Sequence, residues 1–487
     1  MSGYDHLKIL FSSHYSDDYI KVPAFSSNQV NCGPGCKDQH NGSRYVSLQT
    51  PVGQYDIHAI INRLPDKQKP ELLIVKADAS RINHPCCISE LKIPTVLILG
   101  DTHHMNQPIQ SVLQYAIGEN YDFYVNDHKR HHLHFFEESN IKTYWLPGLL
   151  VRNWGIPFQA ERPIQLSFVG QAGQFHHYRK AILEKLISEG YPLWTLQIPQ
   201  RDASIVYAHS QITLNISLNG DVNLRVFEVL CAGGFLITDR TSPQSGLELL
   251  FRDHEHLVLF EDYKDLTAKL HFFLQNPDEA LDVAHKGYDE FWVHHNPEIK
   301  RRQLLNLIFK GEFPPLYSGD LNTRSTYFLR PNKIKLSGRI KIYEYVQYLH
   351  SISTSLKIVF TSISDPQIVS DLIDLPRINL FLLGNQIESL TDAIESPQIN
   401  VLKTPEELEK LGPFDILLTA CHSIEDDDTI QLIMDIKFQQ ILITNFSPTS
   451  NRNQTKLIEQ LIDSGYVRSE ESELIIYNRK AVGYRAS

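Results

Sequence analysis

The 487-residue sequence predicts an α/β protein built from three doubly wound units, and three observations carry that prediction. Leu72 to Val75 (LLIV) and Thr95 to Leu99 (TVLIL) are short, unbroken apolar runs, the pattern of parallel strands buried on both faces. Ile212 to Asp239, ITLNISLNGDVNLRVFEVLCAGGFLITD, reads as strand, loop, helix, glycine pair and strand, one βαβ unit. Past residue 325 the alternation resumes in LKIVFT, INLFLL, FDILLT and QQILIT, with helical stretches such as Gln386 to Ile394 and Asn453 to Ile462 between them.

Residues 1–155 form the first unit. Leu7 to Phe11 reads as its first strand, and the polar stretch Ser12 to Asn41 as an extended loop. Tyr121 to Val125 and Tyr144 to Leu146 supply further strands. TVLILGDTHH places Asp101, His103 and His104 just past the carboxyl end of a buried strand, where open sheets present functional groups. Histidine and aspartate are natural general bases near neutral pH, so these three are candidates to take a proton from a hydroxyl; satisfying loop hydrogen bonds is the other reading. Asp127 to His134 invites a metal reading, because His128 and His132 are four apart. Lys129 and Arg130 would repel a cation there, so a solvated helix face is expected.

The chain has 46 Lys and Arg against 57 Asp and Glu, a net charge of −11, which argues against a protein that works mainly by gripping nucleic acid or an anionic surface. Apolar residues make up 42% and charged ones 21%, as in soluble globular chains, and no apolar run approaches the roughly 20 residues of a membrane span. MSGYDHLKILFSSHYSDDY lacks a signal-peptide layout, so a cytoplasmic protein that is not integral to a membrane is expected. Six scattered cysteines provide neither a disulfide framework nor paired zinc ligands.

Residues 156–310 hold the sharpest signals. Gln165 to Val169 reads as a strand ending at Gly170, and Arg179 opens the next helix, whose amides could point at a phosphate. In the central βαβ unit, Asn219-Gly220-Asp221 is a turn that lets the backbone approach a ligand, and Asn223 is placed to cap the helix. Arg225 sits in the first helical turn, where the dipole disfavours a cation unless an anion shares the space. Glu228, on the same face, can accept both hydroxyls of a ribose. A surface pair of Arg225 with Glu228 is the competing reading.

The run NGDVNLRVFEVLCAGGFLITD resembles the donor-site signature of GT-B glycosyltransferases, in the CgeB-like branch close to glycosyltransferase group 1. DTHH, the later HHLHFF and YWLPG are similar to the amino-terminal half of that branch, and the likeness spans roughly residues 55 to 310. It implies a GT-B fold of two Rossmann-like domains, 1–155 on the acceptor side and 156–310 binding the donor nucleotide. It also implies Glu228 on the ribose, and Asn223, Arg225, Gly220 and, after FVG, Gly170 and Arg179 around the diphosphate, with no metal and no cofactor beyond the nucleotide-sugar donor. Many group 1 enzymes carry a glutamate where this chain has Gly220.

Residues 311–324 read as a linker and 325–487 as a third Rossmann-like domain that resembles a class I methyltransferase in element order. Its chemistry departs from that family. Ser362 to Pro366 stand in place of the glycine-rich cofactor turn, and Gly384 and Asn385 in place of the acidic ribose ligand. A degenerate domain that recognises a protein partner or the acceptor is expected. The acidic run Glu425 to Asp428 reads as a solvated helix start. The resulting expectation is a metal-independent glycosyltransferase of hexosyltransferase type that uses a nucleotide sugar and an acceptor hydroxyl of a glycan, lipid, small molecule or protein. A nucleotide-sugar epimerase of the same fold and a non-catalytic nucleotide-binding scaffold are the alternatives.

Overall fold

A computed structural model of the chain describes residues 3–14, 24–103, 105, 107–127, 129–313, 336–361, 366–383, 398–402, 404–411, 413–420, 436, 438–444, 452–464, 466–471 and 474–479. It is an α/β protein that divides into two compact units, Met1–Leu321 and Asn322–Ser487.

The first unit contains two main sheets. Its leading strands are β1 (Lys8–Ser12), β2 (Asn28–Gly33), β3 (Gln39–Asn41), β4 (Arg44–Gln49), β5 (Gly53–Asp56), β6 (Leu72–Ala77), β7 (Asn83–Cys86), β8 (Thr95–Leu99), β9 (Phe123–Asn126) and β10 (Thr143–Trp145). Eight of these form a sheet in the order β10-β9-β8-β6-β1-β2-β4-β3, parallel throughout except for the β3–β4 hairpin, while β5 and β7 pair separately. The expected loop from Ser12 to Asn41 therefore contains two strands. NQVNCG is too polar to signal a strand, and it is extended because its main chain pairs with β1 in parallel register, Ser12 opposite Cys32. The continuous apolar runs of β6 and β8 are buried on both faces.

The second sheet runs β12-β11-β13-β14-β15, all parallel, with β11 Ile164–Val169, β12 Leu193–Leu196, β13 Ser210–Asn215, β14 Leu236–Asp239 and β15 Val258–Phe260. Leu166, Phe168, Ile212, Leu214, Phe235, Ile237 and Val258 form its core. The helix Pro297–Lys310 is started by Asn296, whose side chain accepts from the Glu298 and Ile299 amides. Its Leu304, Leu305 and Leu307 pack with Ile9, Ile74 and Ile98 of the first sheet. Tyr4 donates to Asn306 Oδ1 at 3.0 Å and stacks on Phe309, so the end of this unit is tied to its start.

In the second unit, β16 (Leu356–Phe360), β17 (Ile378–Leu383), β18 (Ile399–Leu402), β19 (Ile416–Ala420), β20 (Gln440–Thr444), β21 (Tyr466–Glu471) and β22 (Leu474–Arg479) order as β18-β17-β16-β19-β20-β22-β21. Only the pairings of β22 are antiparallel. Arg339 and Asp371 make a buried, two-pronged ion pair there. The expected helix Gln386 to Ile394, the turn from Ser362 to Asp365, Gly384, Asn385 and Glu425 to Asp428 lie outside the described residues, as does the linker beyond residue 313.

Candidate functional site

The carboxyl ends of both sheets of the first unit carry the candidate residues. On the second sheet, β11 ends at Val169, just before Gly170, β13 at Asn215 and β14 at Asp239. Asp239 accepts from the backbone amide of Ser217 at 2.7 Å and from its hydroxyl at 2.5 Å, bracing the loop after β13. That loop turns at Gly220, whose φ of +74° is the left-handed conformation that glycine adopts without a Cβ clash. The helix Leu224–Cys231 follows.

Asn215, missed in the sequence reading, is the hub of the arrangement. Its carboxamide oxygen accepts from Arg225 Nη1 at 2.8 Å and Asn223 Nδ2 at 3.1 Å, while its own Nδ2 donates to Thr238 Oγ1 at 2.9 Å. Asn223 stands at the N-cap position with extended backbone, but its side chain makes no capping bond because it is turned onto Asn215. Its Oδ1 is buried without a hydrogen-bond partner, an acceptor left open beside the first helical turn.

Arg225 and Glu228 do not form the surface pair that spacing allows. Arg225 lies over the Phe168 ring, 4.7 Å from its centroid, and presses on Gly170, where a Cβ would fall 2.0 Å from Nη2. Glu228 is half-buried and takes a short hydrogen bond from Gln200 Nε2. Burial raises its pKa above the ordinary carboxylate value, and the Gln200 bond and the Arg225 charge only partly oppose this. Asn215 and Gln200 lie 10 and 28 residues from their partners. A polar residue closing the apolar strand ITLN was the one available signal for Asn215.

Arg179, expected at a diphosphate, is directed elsewhere. It lies in the helix His177–Ser188, buried, and donates to the Ile216 carbonyl from Nε at 3.0 Å and Nη2 at 2.6 Å, and to the Gln171 carbonyl from Nη1 at 2.7 Å. These bonds satisfy carbonyls just past the ends of β13 and β11.

On the first sheet, Asp101 follows β8 and holds the His103 backbone while its carboxylate lies beside the His103 ring. Its Oδ1 accepts the His103 backbone amide at 2.8 Å and lies 2.9 Å from His103 Nδ1. His103 is 9% exposed at the side chain, so its other ring nitrogen belongs to an oriented imidazole in a sheltered place. His104 lies outside the described residues, as does His128.

The segment from Asp127 to His134 corrects an expectation: it is no solvated helix face. Asp127, Lys129, Arg130, His131, His132 and His134 are all buried. They are buried because they bridge to backbone and side chains of other elements, which local spacing cannot reveal. Lys129 Nζ donates to the Asn219 carbonyl at 3.2 Å, Arg130 Nη1 to the Gln244 carbonyl at 2.9 Å, and Thr102 Oγ1 meets His132 Nδ1 at 2.8 Å. Burial drives the His132 pKa well below that of a free imidazole. Lys129 falls to about 8, burial again leading while Asp221 and Asp101 pull the other way. Among the described residues no group of three or more His, Cys, Asp or Glu is arranged to hold a metal ion, and no helix is long and apolar enough to cross a membrane.

Comparison with known proteins adds one sequence match. Residues 168–306 match the family described as glycosyl transferase-like, a segment that contains Phe168, Gly170, Asn215, Asn223, Arg225 and Glu228. No curated protein matches the chain. Solved structures similar to it include a sucrose-phosphate synthase from Thermosynechococcus elongatus (13% identity, 62% of this chain and 98% of that one, TM-score 0.44). Anabaena Alr3699/HepE in complex with UDP and glucose is another (7% identity, 62% and 99%, TM-score 0.45). So is an alpha-glucosyltransferase in complex with UDP and a 13-mer DNA (12% identity, 62% and 99%, TM-score 0.42).

Proposed function

We propose that this protein is a GT-B glycosyltransferase that moves a sugar from a nucleotide-diphosphate sugar to an acceptor hydroxyl, without a metal. The observation that carries the reading is the Asn215–Arg225–Glu228 arrangement at the carboxyl end of β13, lying inside the segment that matches the glycosyl transferase-like family. Arg225 is a cation in the first turn of a helix, held by neutral partners and an aromatic face, so its charge is available to a diphosphate. The open acceptor of Asn223 and the amides near Gly220 border the same space, and Glu228 stands further along the helix for the ribose. Residues 1–155 would then hold the acceptor and 156–310 the donor.

Where the transfer inverts the sugar centre, His103, oriented by Asp101, would take the proton of the attacking hydroxyl. Protein donors such as Arg225 would stabilise the departing diphosphate. The strand order of residues 325–487, with one antiparallel hairpin at its edge, supports the methyltransferase-like resemblance, and we assign that unit to partner or acceptor recognition in the cytoplasm.

The test is incubation with a panel of nucleotide sugars, followed by mass spectrometry of the donor and its products, beside Glu228→Ala. Release of a nucleoside diphosphate from one donor, lost in the variant, is the expected result. Conversion of the sugar with no acceptor would move the assignment to an epimerase, and turnover of no donor with no nucleotide bound would overturn it.

A further inference from the structure

The donor reading leaves unassigned a fully buried cation at the end of the first sheet. Lys129 follows β9, its backbone amide held by Asn126 Oδ1 at 2.5 Å, and its side chain is 0% exposed. It extends from the end of the first sheet to the second and gives its ammonium proton to the Asn219 carbonyl at 3.2 Å. That carbonyl belongs to the buried turn Asn219-Gly220-Asp221, which delivers the chain to the helix bearing Arg225. Asp221 accepts from the Leu218 amide at 3.3 Å, so its carboxylate is fixed within the turn.

A carboxylate in a turn that borders a diphosphate repels the ligand, and at low dielectric the repulsion is strong. An ammonium is retained in such a place only with acceptors and opposite charge near it: Lys129 Nζ donates to the Asn219 carbonyl, in the same turn as the buried Asp221, and the charges of Asp221 and Asp101 favour its ammonium form. We propose that Lys129 is a positioning residue through which the first sheet holds the Asn219–Asp221 turn in place and offsets the charge of Asp221, so that the turn accepts a nucleoside diphosphate. This inference rests on the donor reading above. It assigns to the acceptor-side half a part in binding the donor.

The test uses the full chain with Lys129→Met, Asp221→Asn and the double variant. Calorimetric titration with UDP, ADP, GDP, CDP and inorganic pyrophosphate gives affinity, and amide hydrogen exchange without ligand gives the order of residues 216–223. Lys129→Met is expected to weaken binding of pyrophosphate and of the preferred nucleotide by about 10–100-fold, as for loss of a residue that supports the groups touching a ligand. Asp221→Asn alone should tighten it, and the double variant should regain most of what the single loses. Exchange over 216–223 should rise in Lys129→Met while the β6 and β8 core stays protected. Affinity equal to the parent's in Lys129→Met, or a double variant as weak as the single, would overturn the charge-offset role. Unchanged exchange would overturn the positioning role. A parent that binds none of the probes removes the donor reading and the ligand role with it, and is told apart from the other failures by being seen before any substitution.

Discussion

Arg179 and Arg225 both lie over the Phe168 ring, at 5.6 and 4.7 Å, yet the two corners of the second sheet use a guanidinium differently. Arg179 is 7% exposed and commits three N–H groups to main-chain carbonyls that end strands and loops. Arg225 is half-exposed, and its partner is a side-chain amide that also serves Asn223. The first arrangement closes a corner of the fold, because it ties the buried Ile216 carbonyl and the Gln171 carbonyl to one side chain. The second holds a half-exposed cation on a neutral amide and an aromatic ring. Two arginines read from sequence as equivalent phosphate ligands are thus separated by what their hydrogen bonds satisfy.

Substitution at the first corner should break this comparison most severely. Arg179→Met leaves the buried Ile216 carbonyl without its two guanidinium donors and the exposed Gln171 carbonyl without one, and at ~1–3 kcal/mol for a buried unsatisfied group it should cost up to about 3 kcal/mol of stability, read as a lower urea midpoint. Arg225→Met should leave that midpoint close to the parent's. A destabilisation by Arg225→Met as large as that of Arg179→Met would erase the distinction.

Gly170→Ala sharpens it next. The added methyl falls 2.0 Å from Arg225 Nη2 at a φ of +147°, so the guanidinium must leave its place over Phe168 and the backbone is strained. Such strain costs about 1–3 kcal/mol, and pyrophosphate affinity should fall about tenfold as Arg225 is displaced, with titration calorimetry as the readout.

The smallest effect concerns Glu228. Its folded pKa is raised by burial, so the folded protein binds the proton more tightly than the unfolded chain does, and stability falls as pH rises from the ordinary carboxylate range through the raised value. Glu228→Gln removes that loss. The variant should melt higher than the parent at neutral pH and alike in acid, while binding nucleotides more weakly and pyrophosphate unchanged. Parallel melting curves across pH would show that Glu228 carries no such burden.

Much of the fold is legible in the chain. LLIV, TVLIL and FDILLT are apolar on both faces, and only a strand between helical layers buries such a run. The polar strand NQVNCG was not legible, because its extended form comes from main-chain pairing with β1 and not from its side chains. In the candidate site, Arg225 and Glu228 were visible because residues three apart on one helix share a face. Gln200 and Asn215 were invisible because their partners arrive from other elements. Cationic and histidine-rich, Asp127 to His134 looked solvated, and the structure buries it against backbone carbonyls and side chains from distant parts of the chain.

The sequence by itself determined the apolar strands of this protein and the helices between them, and with them the strand ends after which Asp101, Gly170 and Gly220 fall, since periodicity and turn chemistry act within a few residues. Only the tertiary structure decided which charges face a ligand and which hold the fold. A charged group's role depends on its solvation and its partners, and Ile216, Asn219 and Gln200 reach Arg179, Lys129 and Glu228 from 37, 90 and 28 residues away.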